Sequence, residues 1–551
     1  MAKYTIGIDF GSLSGRAVLT DVENGQEVAS ATLDYPHAVM DTHLAATGAP
    51  LPPDFALQDP ADYLLVLEKT IPQLLADSGV SPAEVVAIAL DFTCCTLLPV
   101  DADGTPLCFD PTFSQEPLAY TLLWKHHAAQ KYANRMNEIA RQRGEKFLDQ
   151  VGGVISSEWM FPKIYQVLAE APAVYEAARY FIEAGDWVTW MLCGEQHRGY
   201  QYAAYKSLYV KGVGYPSRAY FAAVDPRLAN VVADKLTEPD CMLGDKVGEL
   251  TAEMAKRIGL CAGIAVGASA PDAHIAALAL GVKKEGDMFG VLGTSGCFFL
   301  VGSEGKVVPG TCGTVADGVL PGLYGFESGL CCLGDHFAFA AEKLTSAAYQ
   351  KEAETRGIPM IKLLIEKAAQ KKPGESGVIA LNWFNGNRST LVNSDLSGLF
   401  VGMTLTTAPE DLMRALIEAT AFGWRNIVDA YENCGVPVKQ IIASGGIARK
   451  DPFTMQLYAD VLGKEIAITE TAQAPAASAA IGAAVAGGYY SDLIAASDRM
   501  ASKKDRVFRP IPAHTAIYDR LYAEYKLLHD YFGKGGNDVM RRLRHLAAQQ
   551  K

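Results

Sequence analysis

At 551 residues the chain is long enough for two large domains. Its 49% hydrophobic and 20% charged content describes a core-forming globular protein and excludes a disordered one. A formal net charge of −13 argues against nucleic acid as a partner, because backbone binding needs a basic face. The N-terminus runs straight into a strand pattern, so no signal peptide is expected, and no apolar run reaches bilayer-spanning length. The eleven cysteines are scattered and twice adjacent (Cys94-Cys95, Cys331-Cys332), without zinc spacing or a disulfide framework. A reducing, cytoplasmic location is the expectation.

The first element spans Tyr4 to Asp21. Ile6, Ile8 and Phe10 alternate with Gly7 and Asp9, then a turn, Gly11-Ser12-Leu13-Ser14-Gly15, leads into Ala17-Val18-Leu19. This is the pattern of a tight β-hairpin. Its turn offers amides and hydroxyls to an anion, with glycine allowing close approach. Asp9 at the strand end repels a phosphate unless Mg²⁺, through its waters, lies between. An ordinary hairpin with a solvated aspartate would look the same.

Pro60 to Asp77 has helical apolar spacing; Val85 to Leu90 and Leu97 to Val100 are strands around Asp91-Phe92-Thr93-Cys94-Cys95-Thr96. Asp101 to Gly104 is a turn and Ala128 to Arg143 a polar helix. Ser157 is placed to cap a helix through Lys163 to Glu170. Ala173 to Ala178, Trp187 to Leu192 and Glu249 to Ile258 are helical, and Tyr200 to Tyr209 is aromatic with one lysine. Ala265 to Gly267 is a strand ahead of Ala270-Pro271-Asp272-Ala273-His274, followed by a helix from Ile275 to Gly281. His126, His127 and His274 lack partners at ligand spacing, which disfavours a metal site.

Met288 to Val301 then repeats the opening: an apolar run, Gly293-Thr294-Ser295-Gly296, and a second apolar run. Val378 to Leu381 is a strand, Pro409 to Asn433 a long helix, and Gln440 to Ser444 a strand entering Gly445-Gly446. Ala472 to Gly488 is a small-residue helix, and 496–551 a polar helical tail. Strands alternating with helices indicate an α/β fold. The expected domains are 1–284, 285–495 and the tail 496–551.

The duplicated phosphate hairpin resembles the actin, hexokinase and sugar-kinase superfamily. That likeness implies two actin-like (ribonuclease H-like) ATPase domains flanking a nucleotide- and sugar-binding cleft. IGIDFGSLSGR, LLWKHH, APDAH, VLGTSGC and ASGGIARKDPFTMQLYADVL, in this order across nearly the whole chain, resemble the FGGY family of carbohydrate kinases. SEWMFPKI, YKSLY, GFESG and WFNGNR sharpen the likeness to its ketopentose-phosphorylating members.

The resemblance implies ATP and Mg²⁺ as cofactors and Asp272 as the catalytic base. It assigns Asp9 to the metal, and Gly11, Ser12, Gly293, Thr294, Ser295, Gly445 and Gly446 to the nucleotide. Lys206, Glu327 and the loop with Thr93, Cys94 and Cys95 would hold the sugar with Asp272. Local sequence leaves plainer roles open: a helix cap for Asp272, a strand-to-helix turn for Gly445-Gly446, a surface lysine and a strand-end glutamate. The implied reaction converts L-ribulose to L-ribulose 5-phosphate in L-arabinose breakdown. Relatives acting on D-ribulose, xylulose or glycerol are alternatives, as is a nucleotide-switch ATPase of the actin or chaperone kind. No nucleic acid or membrane partner is expected, and a homodimer is left open. Pro271, Leu330 and Asp451 depart from the family pattern, and Leu330 bears on sugar preference.

Overall fold

The computed structural model describes residues 3–471 and 473–550. The chain divides into two compact units. The first takes residues up to Lys283, 315–322 and 473–502; the second takes 284–314, 323–471 and the chain from Lys503 on.

In the first unit the Tyr4–Phe10 and Ser14–Asp21 strands form the expected hairpin, pairing Asp9 with Arg16 and Phe10 with Gly15. Tyr4–Phe10 also runs parallel to Val85–Phe92, which places Asp9 beside Asp91. Ala265–Gly267 and then Ala270–Pro271 lie parallel to Val85–Phe92 on its other side. A parallel sheet is covered on both faces, which is why Val85 to Leu90 reads as an unbroken apolar run. One cover is the Pro60–Ser78 helix, with Tyr63, Val66, Leu67, Ile71 and Leu74 buried at helical spacing.

Another cover is the Ala474–Ala486 helix. Thr5 Oγ1 donates to the Ala480 carbonyl at 3.0 Å. A Cβ on Gly7 would overlap the Ala476 carbonyl oxygen, so this glycine is what lets the alanine-rich helix lie against the strand. Residues 473–502 thus pack with the first unit, although they follow the strands of the second in sequence. Ala472, the expected start of that helix, lies outside the described residues, as do residues 1, 2 and 551.

Other local expectations shift for identifiable reasons. The Met160–Glu170 helix starts after Trp159 without a side-chain cap, and Ser157 is buried instead of capping it. Glu249 closes an edge strand, Lys246–Glu249; the next helix begins at Ala252, where the Thr251 hydroxyl accepts from the Met254 amide. The helix expected from Ile275 to Gly281 is an Asp272–Ile275 turn of helix followed by turns. Its backbone bonds elsewhere: the Ala279 amide donates to Ser478 Oγ, and the Leu278 and Ala279 carbonyls accept from Ser497 Oγ and the Ser502 amide.

In the second unit the Asp287–Leu292 and Gly296–Gly302 strands form the second hairpin. Gln440–Ser444 and Ile466–Thr469 extend the sheet in parallel. The Pro409–Asn433 helix is buried along most of its length, with Trp424 stacked on Phe298 at 4.5 Å. The tail is not wholly helical. Residues 496–502 belong to the first unit, and Lys504–Phe508 is an edge strand paired antiparallel with Ile466–Thr469. The Pro512–Gly533 helix then buries Tyr518, Tyr522, Tyr525 and His529 along one stripe.

Candidate functional site

Three acidic side chains sit at the C-terminal ends of neighbouring strands in the first unit. Asp9 and Asp91 are adjacent across the parallel pair, and Ala270 pairs with Asp91 two residues before Asp272. Carboxyl ends of parallel strands are where α/β sheets gather ligand-binding groups. Asp9 is 4% exposed and accepts from Arg16 Nη1 at 3.1 Å. Burial raises its pKa against the pull of Arg16. Asp91 is fully buried, and burial with the charges of Asp9 and Asp272 holds its carboxyl well above the usual range.

Asp272 is half-buried and is the first residue of its short helix. Pro271 takes the cap position, so the simple capping role is filled by a residue with no side-chain acceptor. Asp272 Oδ1 accepts from the Ala273 amide at 2.6 Å. Pro271 keeps Ala270 extended, as a residue before proline prefers, and the Ala270 carbonyl accepts from the Tyr202 hydroxyl at 2.9 Å.

The first hairpin turn is pinned from several sides. The Gly11 amide donates to the Ser14 carbonyl at 3.0 Å, and the Tyr35 hydroxyl donates to the Gly11 carbonyl at 3.0 Å. Gln58 Nε2 donates to the Ser12 carbonyl at 2.8 Å, and the Trp124 indole N–H to Ser12 Oγ at 2.9 Å. With its lone pair engaged, the Ser12 hydroxyl keeps its proton as a donor. Sequence reasoning quoted LLWKHH without giving Trp124 this role, and it missed Gln58 and Tyr35.

The loop with Thr93, Cys94 and Cys95 lies between the Val85–Phe92 and Leu97–Val100 strands, and Cys95 has φ +65°. Lys206 ends the Tyr200–Lys206 helix, is 6% exposed, and sits 5.7 Å from the Trp159 ring centre. His126 is structural: Nδ1 accepts from the Ala56 amide, Nε2 bonds Gln166 Oε1 at 2.9 Å, and burial drives its pKa down to about 3.

In the second unit the Gly293 amide donates to the Ser295 carbonyl at 3.0 Å, closing the second turn. The Thr294 and Gly293 carbonyls accept from the Leu333 and Gly334 amides at 2.8 and 3.0 Å. Val291 pairs with Ser444, so Gly445-Gly446 emerge beside the turn. Gly445 has φ +95°, and a Cβ there would stand 2.5 Å from the Leu292 carbonyl oxygen. A Cβ on Gly446 would face open space.

Glu327 is 3% exposed on the Tyr324–Leu330 strand, and Arg388 Nη2 donates to its Oε1 at 2.7 Å. Beside it, Ser389 Oγ accepts from the Gly329 amide at 3.1 Å. WFNGNR thus reaches Glu327 through its arginine, a role sequence reasoning left unassigned. Leu330 is turned into the apolar core of this unit, on the opposite face of its strand from Glu327. Asp451 caps the Pro452–Leu462 helix, accepting from the Thr454 amide at 3.1 Å, a task asparagine performs equally. Among the described residues no group of three or more His, Cys, Asp or Glu could hold a metal ion.

Two domain models describe this chain: the FGGY family of carbohydrate kinases, N-terminal domain, over residues 4–279, and its C-terminal domain over 288–490. The chain belongs to the FGGY family of carbohydrate kinases, phosphotransferases with an alcohol acceptor. It is 50% identical over 538 residues to a ribulokinase of Bacillus licheniformis, covering 97% of each chain. It is 48% identical to a ribulokinase of Geobacillus thermodenitrificans, covering 98% of this chain and 97% of the relative. In fold it is similar to a gluconate kinase from Lactobacillus acidophilus, with TM-score 0.80 and 19% identity over 97% of this chain and 99% of the other.

Proposed function

We propose that the chain is a ribulokinase, transferring the γ-phosphoryl group of ATP to the terminal hydroxyl of L-ribulose to give L-ribulose 5-phosphate. The observation that carries this reading is identity of 50% to a ribulokinase along 97% of both chains, too extensive to reflect the shared fold alone. Asp272 is the base. It takes the proton of the sugar hydroxyl as that oxygen bonds to the γ-phosphorus and the bond to ADP breaks. Positioning contributes more than basicity in such a transfer. Its tie to the Ala273 amide holds one carboxylate oxygen in place.

Gly11, Ser12, Gly293, Thr294 and Ser295 bind phosphate oxygens through amides and hydroxyls. Gly445 and Gly446 approach the nucleotide closely because neither presents a side chain. Asp9, a buried carboxylate with one oxygen on Arg16, fits an aspartate that meets Mg²⁺ through its waters. When bound with ATP, that ion would neutralise phosphate charge. A lone carboxylate suits a cation held mainly by phosphates, in keeping with the lack of a protein cage among the described residues.

Lys206 donates to sugar oxygens and Glu327, fixed by Arg388, accepts from hydroxyls, with Thr93, Cys94 and Cys95 lining the sugar. A place in L-arabinose breakdown and a cytoplasmic location belong to the same reading; among the described residues no helix is long and apolar enough to cross a membrane. The test is kcat/KM for L-ribulose, D-ribulose, L-arabinose, D-xylulose and glycerol at one ATP concentration. L-ribulose should lead, with some activity on D-ribulose, its mirror image, which carries the same carbonyl and terminal hydroxyl. D-xylulose or glycerol ahead of L-ribulose by about tenfold or more would overturn the substrate and leave the kinase assignment standing.

A further inference from the structure

Two buried ionisable groups that the reaction leaves unused converge on the loop between Phe92 and Leu97. Lys163 is fully buried on the Met160–Glu170 helix. Its ammonium donates to the Cys95 carbonyl at 2.5 Å, the Leu123 carbonyl at 2.8 Å and the Leu122 carbonyl at 3.2 Å. Glu183, also fully buried, accepts from the Thr96 amide through Oε2 at 3.1 Å. The adjoining Ala184 amide donates to the Thr96 carbonyl at 2.8 Å, and the Thr93 amide to the Phe10 carbonyl at 3.2 Å. Thr93 and Thr96 bond through their hydroxyls at 2.7 Å.

Burying two ionisable side chains is costly, and a helix-to-loop packing contact would be satisfied more cheaply by apolar side chains. What the pair achieves is directional. Cys95 is a non-glycine residue at φ +65°, a conformation disfavoured by about 1 kcal/mol or more. The lysine takes its carbonyl from one side while Glu183 takes the next amide. The Cys94 and Cys95 amides have no hydrogen-bond acceptor among the described residues, so the clamp holds two donors uncommitted. Trp159, just before the same helix, places its ring 5.7 Å from the Lys206 ammonium.

We propose that Lys163 and Glu183 are positioning residues that hold the Thr93–Thr96 loop in its left-handed conformation and so set affinity and stereochemical selectivity for the carbohydrate. The proposal rests on the reading that this loop lines the sugar. The nucleotide should be unaffected.

The test uses full-length K163M and E183A, with E183Q as the variant that keeps an acceptor oxygen. The substrate is whichever carbohydrate the unmodified enzyme phosphorylates best, so a wrong ribulose assignment shows in the unmodified enzyme and leaves this test intact. In K163M and E183A the carbohydrate KM should rise about tenfold or more, ATP KM should stay within about twofold, and preference between ketose epimers should narrow. E183Q should stay close to the unmodified enzyme. Adding Cys95→Gly to K163M should recover part of the KM, because glycine adopts positive φ without strain. Unchanged carbohydrate KM in folded variants, or equal rises for carbohydrate and ATP, would overturn the proposal. So would failure of both K163M and E183A to fold, since the pair would then serve the domain and not the loop.

Discussion

At the scale of the residue, the carboxylates divide their work by environment. Burial and its acidic neighbours push the Asp91 carboxyl well above the usual range, while Asp272, half-buried beside them, stays in contact with solvent. Asp272→Asn should therefore keep the fold and bind sugar and Mg·ATP within a few-fold by calorimetry. Its kcat should fall by about a hundredfold to ten-thousandfold, the usual cost of removing a general base. Near-normal turnover would disprove the assignment. Glu327 depends on Arg388, whose Nη2 is 2.7 Å from its Oε1. Arg388→Met leaves a buried carboxylate without that donor. We expect ketose KM to rise by about tenfold with ATP KM unchanged, measured by steady-state kinetics in both substrates. A matching rise for ATP would place the arginine elsewhere in the mechanism.

Among the elements, the contact between the Tyr4–Phe10 strand and the Ala474–Ala486 helix shows how composition sets geometry. Both surfaces are nearly bare of side chains where they meet, so backbone approaches backbone. Gly7→Ala puts a methyl group into the Ala476 carbonyl, and flexible side chains offer no relief. The expected destabilisation is about 1–3 kcal/mol by chemical denaturation, with ketose and nucleotide KM shifting only after the strand bearing Asp9 is displaced. A neutral result would mean that the helix can retreat. The hairpin turns behave differently. Each is closed by its own backbone, and the first is further held by Tyr35, Gln58 and Trp124 from separate elements.

For the molecule as a whole, buried acids set the pH response of stability. In the second unit Glu418 is buried beside Arg414 Nε at 2.9 Å and the Tyr518 hydroxyl at 3.2 Å. Burial raises its pKa to about 7, with Arg414 pulling the other way. In the first unit burial, reinforced by Asp186, raises Glu183 to about 8. A raised folded pKa means that the folded state binds a proton the unfolded state releases. The resulting stability is complete below about pH 4.5 and is lost as pH climbs through 7 to 8. Lys163, lowered to about 8 by burial, acts in the opposite sense but only above that pH. Thermal denaturation from pH 5 to 8 should show the advantage of the unmodified protein over Glu418→Gln shrinking as pH rises. An advantage that grows with pH would mean that the ion pair with Arg414 outweighs burial.

Much of this was legible along the chain, and the physical reason is range. Hairpins, the Pro60–Ser78 helix and the strand ending at Asp91 follow from alternation, helical spacing and turn residues within a few positions. The paired glycine-rich hairpin turns and the carbohydrate-kinase family were readable for the same reason, because each motif is contiguous. The Ala474–Ala486 helix was read as a helix, but its packing on the sheet of the first unit was not legible. It is small and apolar all round, so no face announces which sheet it covers. The stretch after Ile275 looked helical by composition, yet its backbone is claimed by Ser478, Ser497 and Ser502, far along the chain. Asp91 beside Asp9, Arg388 on Glu327, and Lys163 beneath Cys95 are likewise products of register and packing. Local pattern encodes which segments can form and what chemistry they carry; only tertiary contact decides which charges are buried together, and burial is what sets their pKa values and their partners.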